Sequence, residues 1–392
     1  MGWFHLEGAE VAAARRRALT LATSAGMADL AARAQAGSDL ADEELAAMFL
    51  SPRIATEALI AVAGRRRPPG GPRLETFSPL YITNECDAEC RMCGMRRTNA
   101  ALVREAADAA TVEAQLEILH RRGLRGVAIL SGEYHHGVFR RTMITRAAHA
   151  VGAALSRGFT HVLINIGALE ADEYGVLLAA VPHAADGTVE PRLTMCTFQE
   201  TYSPEVYGRF MGTNPENPRS DFERRLTNFD RAREAGMWAA NPGVLLGLNP
   251  DVAYELLALL AHVRHLDARG MAVYVSLPRL RKASGTPYGQ GIDDDTFTRL
   301  VAVLSFGRPG AKVVISTRES PGMQRRLVPM IGVLTPGSPG VAPYTETGAR
   351  FEVEASQFEV LDHRPIEAIL GEFLAAGATI DRFEAAGRTI RP

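Results

Sequence analysis

YITNECDAECRMCGM, residues 81–95, carries three of the chain's four cysteines, Cys86, Cys90 and Cys93, at C-x3-C-x2-C spacing. An apolar, strand-like run at 80–83 leads straight into this loop. Cysteine thiolates hold iron–sulfur clusters, and three thiolates on a four-iron cluster leave one iron open to an outside ligand. Zinc and a structural cysteine cluster are the competing readings. Zinc normally takes four ligands from paired motifs, and only Cys196 is left to supply one. Disulfides among three neighbours strand one thiol.

The 392 residues include 43 Lys+Arg and 45 Asp+Glu, a net charge of −2. That balance gives no reason to expect a nucleic acid or an anionic membrane as partner. No run reaches the ~18 apolar residues of a membrane span. The N-terminal MGWFHLEGAEVAAARRRALT has no apolar core followed by a cleavage site, which reads as a cytoplasmic protein.

Residues 1–72 form a helical extension that ends in the linker RRRPPGGP, 65–72. From 77 onward β-prone runs alternate with amphipathic helical segments. The runs are 80–83, 126–130, 161–166, 193–198, 238–246, 272–276, 312–316 and 331–334; the helical segments include 112–122, 143–157, 222–235, 252–268 and 294–304. Eight such runs predict an α/β fold, a (β/α)8 TIM-type barrel over 73–345, with a C-terminal extension at 346–392 packing on one mouth. A six-strand partial barrel is the nearest alternative. In barrels of this kind chemistry gathers at the C-terminal ends of the strands. Those ends carry Cys86; Ser131, Gly132 and Glu133; Asn165; Glu200; Arg279; Arg318; and Thr335.

The cysteine spacing, with Met92 just before the last cysteine, resembles the signature of the radical S-adenosylmethionine (SAM) superfamily. The resemblance implies a [4Fe-4S] cluster on Cys86, Cys90 and Cys93, and SAM chelated to the open iron and cleaved to a 5′-deoxyadenosyl radical. Ser131-Gly132-Glu133 is similar to the superfamily's Gly-Gly-Glu motif, which meets the SAM ammonium. Glu200 in CTFQETY and Arg225 in FERRL resemble residues that hold the ribose or amino group and the carboxylate of SAM, and Met92 and Asn165 join this cofactor-binding set. A surface charge beside Arg224 is the other reading of Arg225. Cys196, between apolar neighbours, reads as a buried inert thiol. His135 and His136 read as rim residues, and His161 and His265 as structural ones.

CTFQETYSPEVY, NPGVLLGL and SLPRLR further resemble blocks of the aromatic amino acid lyase branch, shared with the tyrosine lyases of thiamine synthesis. The likeness is strongest to the tryptophan lyases that make 3-methyl-2-indolic acid for nosiheptide-type thiopeptides. It implies that Arg318 pairs with the substrate carboxylate, that Thr335 sets a hydroxyl beside it, and that Tyr81 lines the pocket near the amino group. Thr335 stands where that lyase has serine, and Glu85 where it has an aromatic residue. The implied activity is a radical lyase of L-tryptophan; the alternatives are a lyase of tyrosine or another aromatic amino acid, and a non-catalytic iron–sulfur protein. The implied partners are a small-molecule amino acid and an electron donor such as flavodoxin or ferredoxin.

Overall fold

The computed structural model describes residues 2–181 and 193–385. The last seven residues of the expected C-terminal extension lie outside the described residues. Ten strands form one all-parallel sheet: β1 (Arg73–Thr76), β2 (Ser78–Tyr81), β3 (Gly126–Leu130), β4 (His161–Asn165), β5 (Leu193–Glu200), β6 (Ala239–Val244), β7 (Ala272–Ser276), β8 (Lys312–Ser316), β9 (Val333–Thr335) and β10 (Thr379–Asp381).

β1 and β2 are two halves of one path, broken only at Phe77, and they close the sheet on itself. β1 pairs with β9 through Thr76 and Leu334, and Tyr81 at the end of β2 bridges Val341 on that same side. The opposite side of β2 pairs with β3, while that side of β1 takes β10. The ring therefore has the eight-stranded α/β barrel form expected from the strand count, with β10 inserted at its base.

A layer inside the ring bears this out. Phe77, Ala128, Leu163, Cys196, Ala239, Tyr274, Val314 and Val333, one from each stave, pack as a cluster separate from the main core. Filled interior layers of this sort make a barrel a packed body rather than a pore. Polar residues close the base below it: Tyr274 donates to Glu75 at 3.0 Å, Lys312 pairs with Glu75, and His161 Nε2 lies 2.7 Å from Thr194 Oγ1.

The main core lies between the staves and the outer helices. These are α1 (Gly8–Thr23), α2 (Met27–Gln35), α3 (Asp42–Leu50), α4 (Thr56–Arg65), α5 (Ala109–Arg121), α6 (Val138–Ser156), α7 (Ala171–Leu178), α8 (Pro204–Met211), α9 (Phe222–Leu226), α10 (Asn228–Glu234), α11 (Val252–Ala268), α12 (Asp294–Gly307), α13 (Pro321–Leu327) and α14 (Ile366–Ala375). The single helical segment expected over 222–235 is two helices, because Thr227 leaves helical geometry and caps α9. Asp108, Asp251 and Asp293 each accept a backbone N–H at the first turn of α5, α11 and α12, satisfying donors that a helix start leaves open.

The N-terminal helices lean on the barrel rather than standing apart. Arg299 of α12 donates to the carbonyls of Met48, Phe49, Ser51 and Ile54 at 2.6–3.1 Å, covering the C-terminal end of α3 with a cation. Phe4 stacks on His262 of α11 with ring centroids 4.2 Å apart. No helix among the described residues is long and apolar enough to cross a membrane.

Candidate active site

The cysteine loop leaves β2 and is held to the top of the barrel through its backbone carbonyls and the side chain of Asn84. Asn84 donates to the carbonyls of Val103 and Ala355, and Arg104 gathers the carbonyls of Asn84, Met95 and Arg96 at 2.7–2.9 Å. The loop also sits hard against the turn after β3: a Cβ on Gly132 would lie 1.9 Å from Glu85 O and 2.6 Å from Cys86 Cβ. Only glycine lets the two backbones approach so closely.

Cys86, Cys90 and Cys93 all face one cavity at the barrel mouth. The backbone N–H groups of Ala88 and Glu133 point at Cys86 Sγ from 3.4 and 3.3 Å, and Gln357 Nε2 points at Cys93 Sγ from 3.5 Å. Burial, with Cys90 and Cys93 nearby, pushes the Cys86 thiol up to about 12. Burial likewise pushes Cys90 up to about 11, while Arg219 pulls the other way. Thiols so placed need a bound cation to ionise at neutral pH. Among the described residues no three Cys, His, Asp or Glu side chains converge on a single-ion site. The donor set fits a four-iron cluster instead, whose corners require separated thiolates, and N–H donors already aim at two of the three sulfurs, Cys86 and Cys93.

Beside the cysteines lies a buried set of alternating charges. Glu133, after β3, accepts the Ala168 N–H at 2.9 Å on one oxygen and Arg225 Nη1 at 2.9 Å on the other. Arg225 also donates to Phe198 O at 2.6 Å and is only 5 % exposed, so it is not a surface charge. Its neighbour Arg224 takes the outer position, paired with Glu170. Glu200 accepts Arg219 Nη2 at 2.7 Å. Burial lowers the Arg219 pKa, yet Cys90, Glu200 and Glu133 together hold it well above the ordinary value.

Glu200 sits at φ +69° at an irregularity in the β5–β6 pairing. A non-glycine residue rarely takes that conformation. The next two residues anchor it: Thr201 donates its hydroxyl to Glu255 Oε1 at 2.6 Å, and Tyr202 N donates to Glu255 Oε2 at 2.8 Å.

Across the cavity stands Arg318, after β8. Its guanidinium carbon lies 3.3 Å from the centroid of the Phe358 ring, and Nη1 donates to Arg279 O at 3.2 Å. Burial lowers its pKa to about 10, with Tyr81 and Glu200 raising it, so it stays a cation at neutral pH. Arg279, expected only as a rim residue, is buried and locked to Glu319, with Arg281 sharing that carboxylate. Tyr81 donates its hydroxyl to Gln357 Oε1 at 2.5 Å. Thr335 lines the cavity and donates to Ile315 O at 3.3 Å.

Ser131, Gly132, Asn165 and Met92 also line this cavity. Every residue singled out from sequence for the site is thus brought to one mouth. Glu85 is exposed, Cys196 is buried on the cavity wall, and His135 and His136 lie off it. Sequence reasoning missed Arg219, Arg281, Gln357 and Phe358. An arginine in the Asn/Pro-rich loop before α9 was the one available signal, for Arg219.

Residues 276–379 match the family described as Biotin and Thiamin Synthesis associated domain. The chain is 26% identical over 318 residues to 2-iminoacetate synthase of Escherichia coli (strain K12), covering 78% of this chain and 77% of that one. The FeFe-hydrogenase maturase HydG from Carboxydothermus hydrogenoformans shares the fold with TM-score 0.80 at 24% identity, over 97% of this chain and 86% of that one. Methylornithine synthase (PylB) does so with TM-score 0.68 at 17% identity, over 90% and 97%. The family match and the Escherichia coli relative agree with the resemblance first carried by the cysteine motif, to the radical SAM family of aromatic amino acid lyases, and the two solved structures agree with its fold.

Proposed function

We propose that this chain is a radical SAM carbon–carbon lyase of a free aromatic amino acid, with tyrosine as the first substrate to test. The observation that carries the reading is Arg318, a part-buried guanidinium that forms no ion pair among the described residues and faces the same cavity as the three cysteines. A four-iron cluster on Cys86, Cys90 and Cys93, with SAM on its open iron, supplies a 5′-deoxyadenosyl radical when bound. The residues around it bind and orient. Glu133, Glu200, Arg219 and Arg225 offer carboxylates to the SAM ammonium and ribose, and guanidinium forks to its carboxylate.

Arg318 takes the substrate carboxylate, with Thr335 beside it, which leaves the amino group near Tyr81 for hydrogen abstraction. Homolysis of the Cα–Cβ bond then yields a dehydroglycine-type imine, the product class in the name of the Escherichia coli relative, and an arylmethyl radical that takes one electron from a one-electron carrier and a proton. Holding the amino acid at both ends matters, since misplacing a reacting atom by ~1 Å costs about a hundredfold in rate. A one-electron carrier such as flavodoxin or ferredoxin reaches the loop beside Arg91 and Arg97, both exposed.

Tryptophan, converted to 3-methyl-2-indolic acid, is the second reading. The blocks STRE, SPGVAPY and LINIGALE favour it, resembling the tryptophan lyases. The test is anaerobic incubation of cluster-loaded protein with SAM, dithionite and tyrosine or tryptophan separately. 5′-Deoxyadenosine with an imine product supports the first reading, and a methylindolic acid supports the second. No 5′-deoxyadenosine with either amino acid removes both.

A further inference from the structure

Residues 353–362 cross the barrel mouth as a strap, stitched from the cysteine loop to the end of β8. On the cysteine side Val103 N donates to Glu354 O at 2.8 Å and Gly94 N to Gln357 O at 3.1 Å. A Cβ on Gly94 would lie 2.8 Å from Gln357 O, so the loop and the strap are in backbone contact. On the far side Glu359 N donates to Lys282 O at 2.8 Å and Leu361 N to Thr317 O at 2.9 Å. Two successive side chains of the strap enter the site: Phe358 under Arg318, and Gln357 between Tyr81 and Cys93.

The Gln357 contacts have a direction. A phenol hydroxyl that donates must meet the carboxamide oxygen, so the Tyr81 bond at 2.5 Å turns the NH2 end toward Cys93 Sγ, 3.5 Å away. A neutral N–H aimed at a cluster sulfur favours the form with more negative charge on that sulfur, which is the reduced cluster. Among the described residues this is the one side-chain hydrogen bond to the three cysteine sulfurs; the others reaching Cys86 come from the backbone.

We propose that Gln357 is a positioning residue that sets the electron affinity of the cluster at its Cys93 corner, with Tyr81 acting through it by orienting the carboxamide. This rests on the cluster reading above and goes beyond it, because it assigns to the C-terminal strap a share in the electron-accepting step. The strap is held by main-chain bonds, so changing the Gln357 side chain leaves its path in place.

The test is a redox titration of cluster-loaded, full-length protein, followed by electron paramagnetic resonance, for wild type, Gln357→Leu, Tyr81→Phe and the double variant. The inference expects undiminished iron and sulfide content in all four and a more negative midpoint potential for Gln357→Leu. Tyr81→Phe should shift the same way by a smaller amount, and the double variant should match Gln357→Leu, since Tyr81 has nothing left to orient. Unmoved potentials with an intact cluster overturn the inference while sparing the cluster reading. Additive shifts in the double variant overturn the role given to Tyr81. A wild-type protein that retains no four-iron cluster overturns both the inference and the reading beneath it. Resonance Raman bands of the iron–thiolate bonds give a second readout: no change in Gln357→Leu counts against the proposal even if activity falls.

Discussion

Arg318 lies over the ring of Phe358, its guanidinium carbon 3.3 Å from the ring centroid. The ring covers the cation and offers no hydrogen-bond acceptor, so apart from the Nη1 bond to Arg279 O the N–H groups stay available to a ligand. A cation over an aromatic face is worth about 0.5–2 kcal/mol, and a charge-assisted hydrogen bond about 1.5–3 kcal/mol. A carboxylate held by two such bonds would therefore gain more from Arg318 than Arg318 gains from Phe358.

Arg318→Ala is accordingly expected to lower kcat/KM by about a hundredfold or more and to leave the iron content and visible spectrum of the cluster intact. Arg318→Lys keeps the charge and loses the planar fork, which places it between the two. Phe358→Leu should cost only about threefold to tenfold. Steady-state kinetics on all three variants check the order; an Arg318→Ala enzyme with unchanged turnover at low substrate removes the carboxylate role.

Gly132 gives a sharper structural test. Any side chain there meets Glu85 O at 1.9 Å, a backbone atom rather than the far end of a flexible side chain. Gly132→Ala is expected to push the cysteine loop away from the turn after β3, breaking the Glu133 N–H contact to Cys86 Sγ. The variant should fold, because the barrel does not depend on this turn, yet lose cluster iron on gel filtration. Cys90→Ala gives the comparison, with one thiolate missing outright. A Gly132→Ala protein that keeps its full iron content would falsify the close-approach argument.

The barrel was legible because its staves are short β-rich runs separated by capped amphipathic helices, and β3, β7, β8 and α11 fall where the pattern puts them. β1 was not, since Arg73–Thr76 alternates charge with apolarity on a path that only the partners β9 and β10 make a strand. The site was legible wherever a residue sits at a stave end, as Glu133, Glu200 and Arg318 do. Arg219 and Gln357 were not, because they come from irregular segments without periodicity. Gln357 reaches Cys93 from 264 residues away along the chain. Nothing local in the sequence signals a contact of that range.

Glu255 of α11 is expected to hold the strained turn at Glu200. Its two oxygens take the Thr201 hydroxyl, the Tyr202 N–H and, at 2.6 Å, Asn249 Nδ2. A glutamine in its place has one acceptor oxygen for three donors, leaving at least one buried donor unmatched at a cost of about 1–3 kcal/mol. Glu255→Gln should therefore weaken SAM binding by several-fold through a misplaced Glu200, with less effect on the affinity for the amino acid. Equilibrium dialysis with each ligand separates the two; equal losses for both would mean general destabilisation rather than a positioned carboxylate.

Two buried imidazoles are expected to make the fold sensitive to acid. Burial holds His262 down to about 3, helped by His265 alongside, and holds His161 down to about 3, with Arg382 and Lys312 outweighing the pull of Glu75. Both are neutral in the folded protein where the unfolded chain titrates near 6.5. From about pH 6.5 down to about pH 3 the unfolded state binds the extra protons, so stability is full above that window and falls as the pH drops through it. Each histidine contributes a slope of about 1.4 kcal/mol per pH unit, and hence a loss of about 2 kcal/mol between pH 7 and pH 5. His262→Gln keeps an acceptor for the Tyr202 hydroxyl, which lies 2.8 Å from Nδ1, and removes the titration. Denaturant midpoints at pH 7 and pH 5 should differ less in this variant than in the wild type, even where its stability at pH 7 is lower. The same drop in both proteins would place the acid sensitivity elsewhere.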